Sequence, residues 1–335
     1  VKRARQFIFV CVVALLITSV VSHAVVRWLG IKATGPIYLV FGSQVGKPAA
    51  SIYGASPAFD GLDWNQVAQL LGGGIQTWAT AGSSPSEWEM LQLRSPDVPR
   101  TFVCFTPFDL NDYFLCDFRA KIVPFGKTVR ELREAGADWS FSKRMLSQYP
   151  LTFIRKLFPT AGRSNGVMVG IRRGLQKMIG RSKHADLDRV PQLGSTGPNM
   201  TQDRITDWDA GRLQRRVEMM RAGCQGKQWF DGPKKQALLR MVRQAAAHGT
   251  VTIIVLPLSP TYQREFMTAK VTQDFERTLT DVQASCAASP MIRLDKLSVL
   301  HDDGLFWDLV HLNMYGQKIA TAELLAKFQL LPNSQ

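Results

Sequence analysis

Hydrophobic and polar positions divide the chain into three regimes. The first is an apolar run from Phe7 to Val21 that resumes, after Ser22 and His23, from Ala24 to Val26. Its span of 20 residues, at about 1.5 Å per residue, suits a helix crossing roughly 30 Å of hydrocarbon. Lys2, Arg3 and Arg5 precede it, and a basic flank holds the N-terminus in the cytoplasm. Residues 1–28 are therefore expected to form a single-pass anchor in a bacterial-type cell membrane, with the rest extracytoplasmic (periplasmic). Ser22-His23-Ala24 loosely resembles a small-x-small cleavage site, so a cleaved signal peptide is the alternative.

The second regime alternates short apolar, β-prone runs with longer amphipathic stretches. Strands are expected at Ala50 to Tyr53, Ile75 to Ala79, Thr101 to Phe105, Val251 to Leu256 and Met291 to Leu294. Helices are expected at Trp64 to Leu71, Pro85 to Leu93, Lys234 to His248, Gln263 to Ala287 and Met314 to Phe328. Such alternation predicts an α/β fold, a parallel sheet with helices on both faces, over residues 50–335. Residues 29–49 read as a stem, in which Ile37 to Phe41 is either part of the stem or one more strand.

The third regime lies between the third and fourth strands, roughly 106 to 250, an interval too long for an ordinary crossover. It predicts a large, mainly helical insertion at about 120–232. From Phe141 to Lys183 there are ten Lys or Arg and no Asp or Glu, interleaved with apolar residues. This segment supplies most of the formal charge of +14. Basic amphipathic segments dock on anionic lipid or on an acidic partner; an ordinary solvated face is the alternative. No nucleic-acid recognition motif accompanies the charge, and none is expected in an exported domain.

Hydrophobic residues are 45% of the chain and charged residues 20%, enough apolar material for one large core. Of the five cysteines, Cys104, Cys116, Cys224 and Cys286 would meet an oxidising compartment. That permits a disulfide and leaves the pairing open. No CxxC pair and no histidine cluster is present, so neither a metal nor a cofactor is expected.

Candidate chemistry concentrates near the C-terminus, in Asp308-Leu309-Val310-His311-Leu312-Asn313. An Asp three residues before a His on a loop lets the carboxylate hold one ring nitrogen while the other faces a nucleophile. The nucleophile expected is Ser56, in Gly54-Ala55-Ser56, which delivers a hydroxyl at the carboxyl end of the first strand. Ser43, in Phe41-Gly42-Ser43, competes from the stem. Two loops offer donors for an oxyanion. Gly82 precedes Ser84-Pro85-Ser86-Glu87, which reads as an N-cap, a first-turn proline and a capping-box glutamate. Asn111, after the third strand, brings a side-chain amide. Trp64, Trp78, Trp88 and Trp307 are candidates for a sugar-stacking surface, with the core as their alternative home.

In their order, these segments resemble the SGNH (GDSL-like) hydrolase superfamily. Gly54-Ala55-Ser56 stands where that family has Gly-Asp-Ser, Gly82 and Asn111 where it has its second-block glycine and third-block asparagine, and Asp308 and His311 match its closing Asp-x-x-His. Ala55 and Asp109 depart from the family's Asp and Gly. The resemblance implies a flavodoxin-like three-layer sandwich. It assigns Ser56, Asp308 and His311 to a triad, and the backbone of Ser56 and Gly82 with the Asn111 amide to an oxyanion hole. Its anchored members imply O-acetyl transfer to an exported polysaccharide through an acyl-serine, beside a membrane-bound O-acyltransferase as acyl donor. A carbohydrate esterase or deacetylase and a non-catalytic envelope assembly protein are the alternatives.

Overall fold

Arg100–Phe105 and Thr250–Val255 are almost continuous runs of apolar, β-branched and aromatic residues, the pattern of strands covered on both faces. In the computed structural model they lie side by side within a parallel sheet of five strands among the described residues. The structure describes residues 2–28, 48–79, 81–95, 97–115, 119–158 and 201–329. The stem with Ile37 to Phe41 and Ser43, Cys116, and the basic residues from Arg163 to Lys183 lie outside them.

In chain order, α1 (Lys2–Trp28) is followed by β1 (Ala50–Gly54), α2 (Ser56–Asp60), α3 (Trp64–Leu71), β2 (Ile75–Thr77), α4 (Pro85–Gln92), β3 (Arg100–Phe105) and α5 (Pro107–Leu110). Then come α6 (Arg119–Ile122), α7 (Phe125–Glu134), α8 (Trp139–Leu146), α9 (Gln148–Leu157), α10 (Ala210–Gly223) and α11 (Pro233–His248). The chain closes with β4 (Thr250–Val255), α12 (Pro260–Phe266), α13 (Ala269–Ser285), β5 (Met291–Arg293) and α14 (Met314–Gln329). Helix α1 is long and apolar enough to cross a membrane.

The strand order β2-β1-β3-β4-β5 reverses direction between β1 and β3. A crevice opens at the carboxyl ends of the strands at such a reversal, and ligands bind there in open α/β sheets. Alternate residues of each strand feed separate cores. Ile52, Phe102, Cys104, Ile254 and Ile292 pack with Val67 of α3, Val217 and Met220 of α10, and Ala320, Leu324 and Phe328 of α14. Tyr53, Val103, Phe105, Ile253 and Val255 pack with Trp88 and Leu91 of α4, Leu238 and Val242 of α11, and Phe275 and Leu279 of α13. The two-residue repeat of a strand thus yields a helix layer on each side of the sheet.

One departure from expectation has a local cause. The single helix expected from Gln263 to Ala287 is two, α12 and α13, because the Thr268 side chain accepts the Val271 N–H and caps a new start. Buried charges, absent from any apolar pattern, tie α4 to the inserted helices. The fully buried Arg119 pairs with Glu87 at 3.1 Å and with Glu131, while Arg240 of α11 reaches Glu89 at 2.8 Å and Glu131 at 3.0 Å.

Candidate active site

Strand β1 ends at a glycine for a steric reason. A Cβ on Gly54 would lie 2.3 Å from the Ala58 Cβ and 2.7 Å from the Cys104 carbonyl oxygen, so only glycine lets α2 fold back against β1 and β3 at once. Ala55 is extended, and its carbonyl accepts the N–H groups of Ala58 and Phe59, both at 3.1 Å. Ser56 thereby becomes the first residue of α2, at the carboxyl end of β1, beside the reversal of strand order.

The C-terminal motif sits on a closed loop. Phe306 bridges Leu312 in antiparallel fashion, and the Trp307 N–H donates to the His311 carbonyl at 3.1 Å. Phe306, Leu309, Val310 and Leu312 are buried beneath it. Asn313 fastens the exit by donating to the carbonyls of Asp203 (3.2 Å) and Gly304 (2.8 Å), while its side-chain oxygen caps α14 through Tyr315 and Gly316.

These two constructions bring together residues 255 positions apart. His311 Nε2 lies 2.7 Å from Ser56 Oγ, and Nδ1 lies 2.8 Å from Asp308 Oδ1. With Asp308 ionised, Nδ1 carries the hydrogen and the Nε2 lone pair receives the serine O–H. Burial pushes the Asp308 carboxyl toward the neutral acid. The hydrogen bond and charge of His311, the Val310 N–H and Arg216 outweigh it, leaving the group below the ordinary aspartate value. Oδ1 also accepts the backbone N–H groups of Val310 and His311, each at 2.9 Å. The Trp307 ring stacks on the imidazole, with centroids 5.0 Å apart.

Arg216 is the site residue that sequence reasoning missed. Its guanidinium donates to Asp308 Oδ2 at 2.7 Å, from α10 in the insertion. No spacing in the chain announces a contact between residues 92 positions apart.

The two oxyanion loops fare differently. Gly82 is exposed, with φ at +70°, a left-handed conformation that favours glycine. The neighbouring Ser83 hydroxyl donates to the Gly54 carbonyl at 2.9 Å and accepts from Trp88 Nε1 at 2.7 Å, which stitches this loop to the strand end two residues before Ser56. Ser84, Pro85 and Glu87 form the expected capped helix start. Asn111, by contrast, is wholly buried and commits both amide hydrogens to the Lys227 carbonyl (3.2 Å) and Gln228 Oε1 (3.1 Å). Its oxygen accepts from the backbone of Tyr113 and Trp229. In this structure the amide expected at the oxyanion clamps the loop after β3 to segment 227–229.

Asp109, the departure in the third block, caps α5 through Thr106. Burial raises its carboxyl to about 6, against the pull of Thr106, Lys234 and His311. Of the four tryptophans, Trp78 and Trp88 belong to the core and Trp64 packs against Phe102, leaving Trp307 at the site. Cys104, Cys224 and Cys286 are buried free thiols. Among the described residues, no group of three or more His, Cys, Asp or Glu is placed to hold a metal ion. No family model matches the chain, and no curated protein matches it.

Proposed function

We propose that this chain is a membrane-anchored, extracytoplasmic serine O-acyltransferase of the divergent SGNH kind, moving an acetyl group onto a hydroxyl of an exported polysaccharide. The observation that carries the reading is the 2.7 Å contact between His311 Nε2 and Ser56 Oγ, with Asp308 2.8 Å behind the ring. An aligned Ser-His-Asp relay beside the reversal of a parallel sheet is an arrangement for attack on an acyl carbonyl.

In the first half-reaction Ser56 Oγ bonds to the acyl carbon while its proton passes to His311 Nε2. Asp308 stabilises the imidazolium so formed. The oxyanion is taken by backbone N–H groups, for which Ser56 at the start of α2 and Gly82 are the candidates. Collapse breaks the bond to the donor oxygen, which leaves with the proton from His311. In the second half-reaction an acceptor hydroxyl loses its proton to His311 and bonds to the acyl carbon. The Ser56 oxygen leaves and takes that proton back. Water in place of the sugar makes the same site an esterase, with identical residues up to the acyl-serine.

A fluorophosphonate probe tests the carrying observation without knowledge of the substrate. The wild-type chain should become covalently labelled and Ser56→Ala should not; undiminished labelling of the variant would remove Ser56 as nucleophile. Polymer acetyl content with and without the gene, set against free acetate released from a model ester, then separates transfer from hydrolysis.

A further inference from the structure

Helix α9 (QYPLTFIRKL) is built inside out. Its exposed apolar residues Pro150, Phe153, Ile154 and Leu157 fall at i, i+3, i+4 and i+7, one face of a helix. Such a stripe is normally the buried one, yet Phe153 is 64% exposed, Ile154 45% and Leu157 43%. Tyr149, on another side of α9, is held by the Thr128 hydroxyl and by the Val123 carbonyl at 2.9 Å. The helix is therefore fixed to the domain with its apolar face outward. Phe125 of α7 is 55% exposed and packs edge-on against Tyr149, extending the apolar surface.

The occupant of this face follows from where α9 ends. The Ser19 hydroxyl of α1 donates to the Leu157 carbonyl at 2.5 Å. Ser19, Ser22 and Val25 turn one partly or fully covered face of α1 inward, while most of the rest of the helix stays exposed. The apolar stretch of α1 ends at Val25, six residues beyond Ser19. At about 1.5 Å per residue, Leu157 lies about 9 Å inside the end of that stretch from which the chain runs on to the catalytic domain. An interfacial helix buries its apolar face to a depth of roughly 5–10 Å. The region 141–183, to which α9 belongs, carries ten cationic residues and no acidic ones, which complements anionic headgroups.

We infer that α9 is an in-plane membrane helix, seated in the headgroup-to-acyl boundary of an anionic bilayer beside α1. The inference rests on the reading of α1 as a membrane span and is independent of the catalytic assignment. It gives the domain a second attachment that fixes its height and tilt, which a lone anchor followed by a stem does not.

The test uses the full chain reconstituted in phosphatidylcholine–phosphatidylglycerol vesicles, spin-labelled one site at a time. Phe153→Cys and Ile154→Cys are labelled in a Cys11→Ser, Cys116→Ser background, with the exposed Lys270→Cys of α13 as aqueous comparator. Native Cys11, exposed on α1, is labelled in Cys116→Ser alone. Labels at 153 and 154 should relax faster with oxygen than with a water-soluble nickel chelate, at a depth on the order of 5–10 Å, and the label at 270 should do the reverse. Labels at 153 and 154 that behave like 270 overturn the docking, as do labels shielded from both reagents, which would mean that a protein surface covers α9. The Cys11 label keeps the two failures apart: a lipid reading there, with aqueous readings at 153 and 154, removes only the docking, whereas an aqueous reading at Cys11 removes the span and the docking with it.

Discussion

Replacing Asp308 by Asn tests how the relay works, because the surrounding donors dictate which way an amide must turn. Oδ1 receives three hydrogens, from Val310 N, His311 N and His311 Nδ1, whereas Oδ2 receives one from Arg216. In Asp308→Asn the amide oxygen must take the three-donor side, and the NH₂ then faces the Arg216 guanidinium, donor against donor. The imidazole keeps its Nδ1–H tautomer, so the loss is one of charge and not of orientation. A carboxylate and an imidazolium about 4 Å apart attract by about 4 kcal/mol at an effective dielectric near 20. That figure is an upper bound, and at about 1.4 kcal/mol per decade it corresponds to a fall of roughly 10²- to 10³-fold in the rate of Ser56 modification.

The second-order rate of fluorophosphonate labelling reads this directly. Arg216→Met in the Asp308→Asn background should recover about tenfold, since it removes a cation left unpaired beside the forming imidazolium. Arg216→Met alone should slow labelling, because Oδ2 then loses its charged donor. The cycle of four proteins is thus expected to be strongly non-additive. An Asp308→Asn protein that is folded and labels within about threefold of wild type would refute the claim that Asp308 supplies charge to His311.

Three further outcomes follow from the packing. Asn111→Ala should lower the melting temperature, through a cost of about 1–3 kcal/mol for each buried partner left unpaired, while the labelling rate per folded molecule stays within a few fold; a drop of a hundredfold at full stability would restore Asn111 to the oxyanion hole. Gly54→Ala puts a methyl 2.3 Å from the Ala58 Cβ and 2.7 Å from a backbone oxygen, so α2 must shift and both labelling and thermal stability should fall together. Asp112 is fully buried, and burial raises its carboxyl from 3.8 to about 7 against the pull of Lys234. Because the folded state favours the protonated acid, its contribution is complete below about pH 4 and is lost as pH rises toward 7, at most about 4 kcal/mol. Asp112→Asn should flatten melting temperature against pH across that window, and parallel curves would show that Asp112 does not titrate there.

What could be read from the chain divides by the range of the physics involved. Strand cores such as Val251 to Val255 announce themselves because a sheet covered on both faces demands uninterrupted apolar, β-branched runs. The start of α4 was legible because Ser84, Pro85 and Glu87 act within one turn. His311 and Ser56 were paired from the chain by residue type, strand-end or loop placement, and the order of segments in the family resemblance. Their meeting depends on α2 folding back at Gly54 and on the 306–312 loop closing above it. Arg216 was not legible, since Arg212, Arg215, Arg216 and Arg221 crowd one helix and nothing in the chain marks one of them for a distant carboxylate. Only the fold singles it out, next to the buried Val217 that seats α10 on the core. Asn111 shows the converse: an amide in the right block reads as available in the chain, and only the fold reveals that Lys227 and Gln228 hold both of its hydrogens.

The insertion links the loops of the candidate site to the face that turns toward α1. It leaves the sheet beyond β3, and one arm, α7 and α9, turns an apolar face outward beside α1. A later arm, α10, returns over the carboxyl ends of the strands, where Val217 and Met220 enter the core and Arg216 holds Asp308. Between them, Arg119 and Glu131 bind the first arm to Glu87 of α4, whose capped start follows directly on the Gly82 loop. Breaking a buried pair of this kind by removing one partner costs about 3–5 kcal/mol, far more than the pair adds over an apolar substitute. Loss of Arg119 alone is therefore expected to cost the fold, because the ion network locks the arm that carries α9 to the helix that leads out of the candidate oxyanion loop.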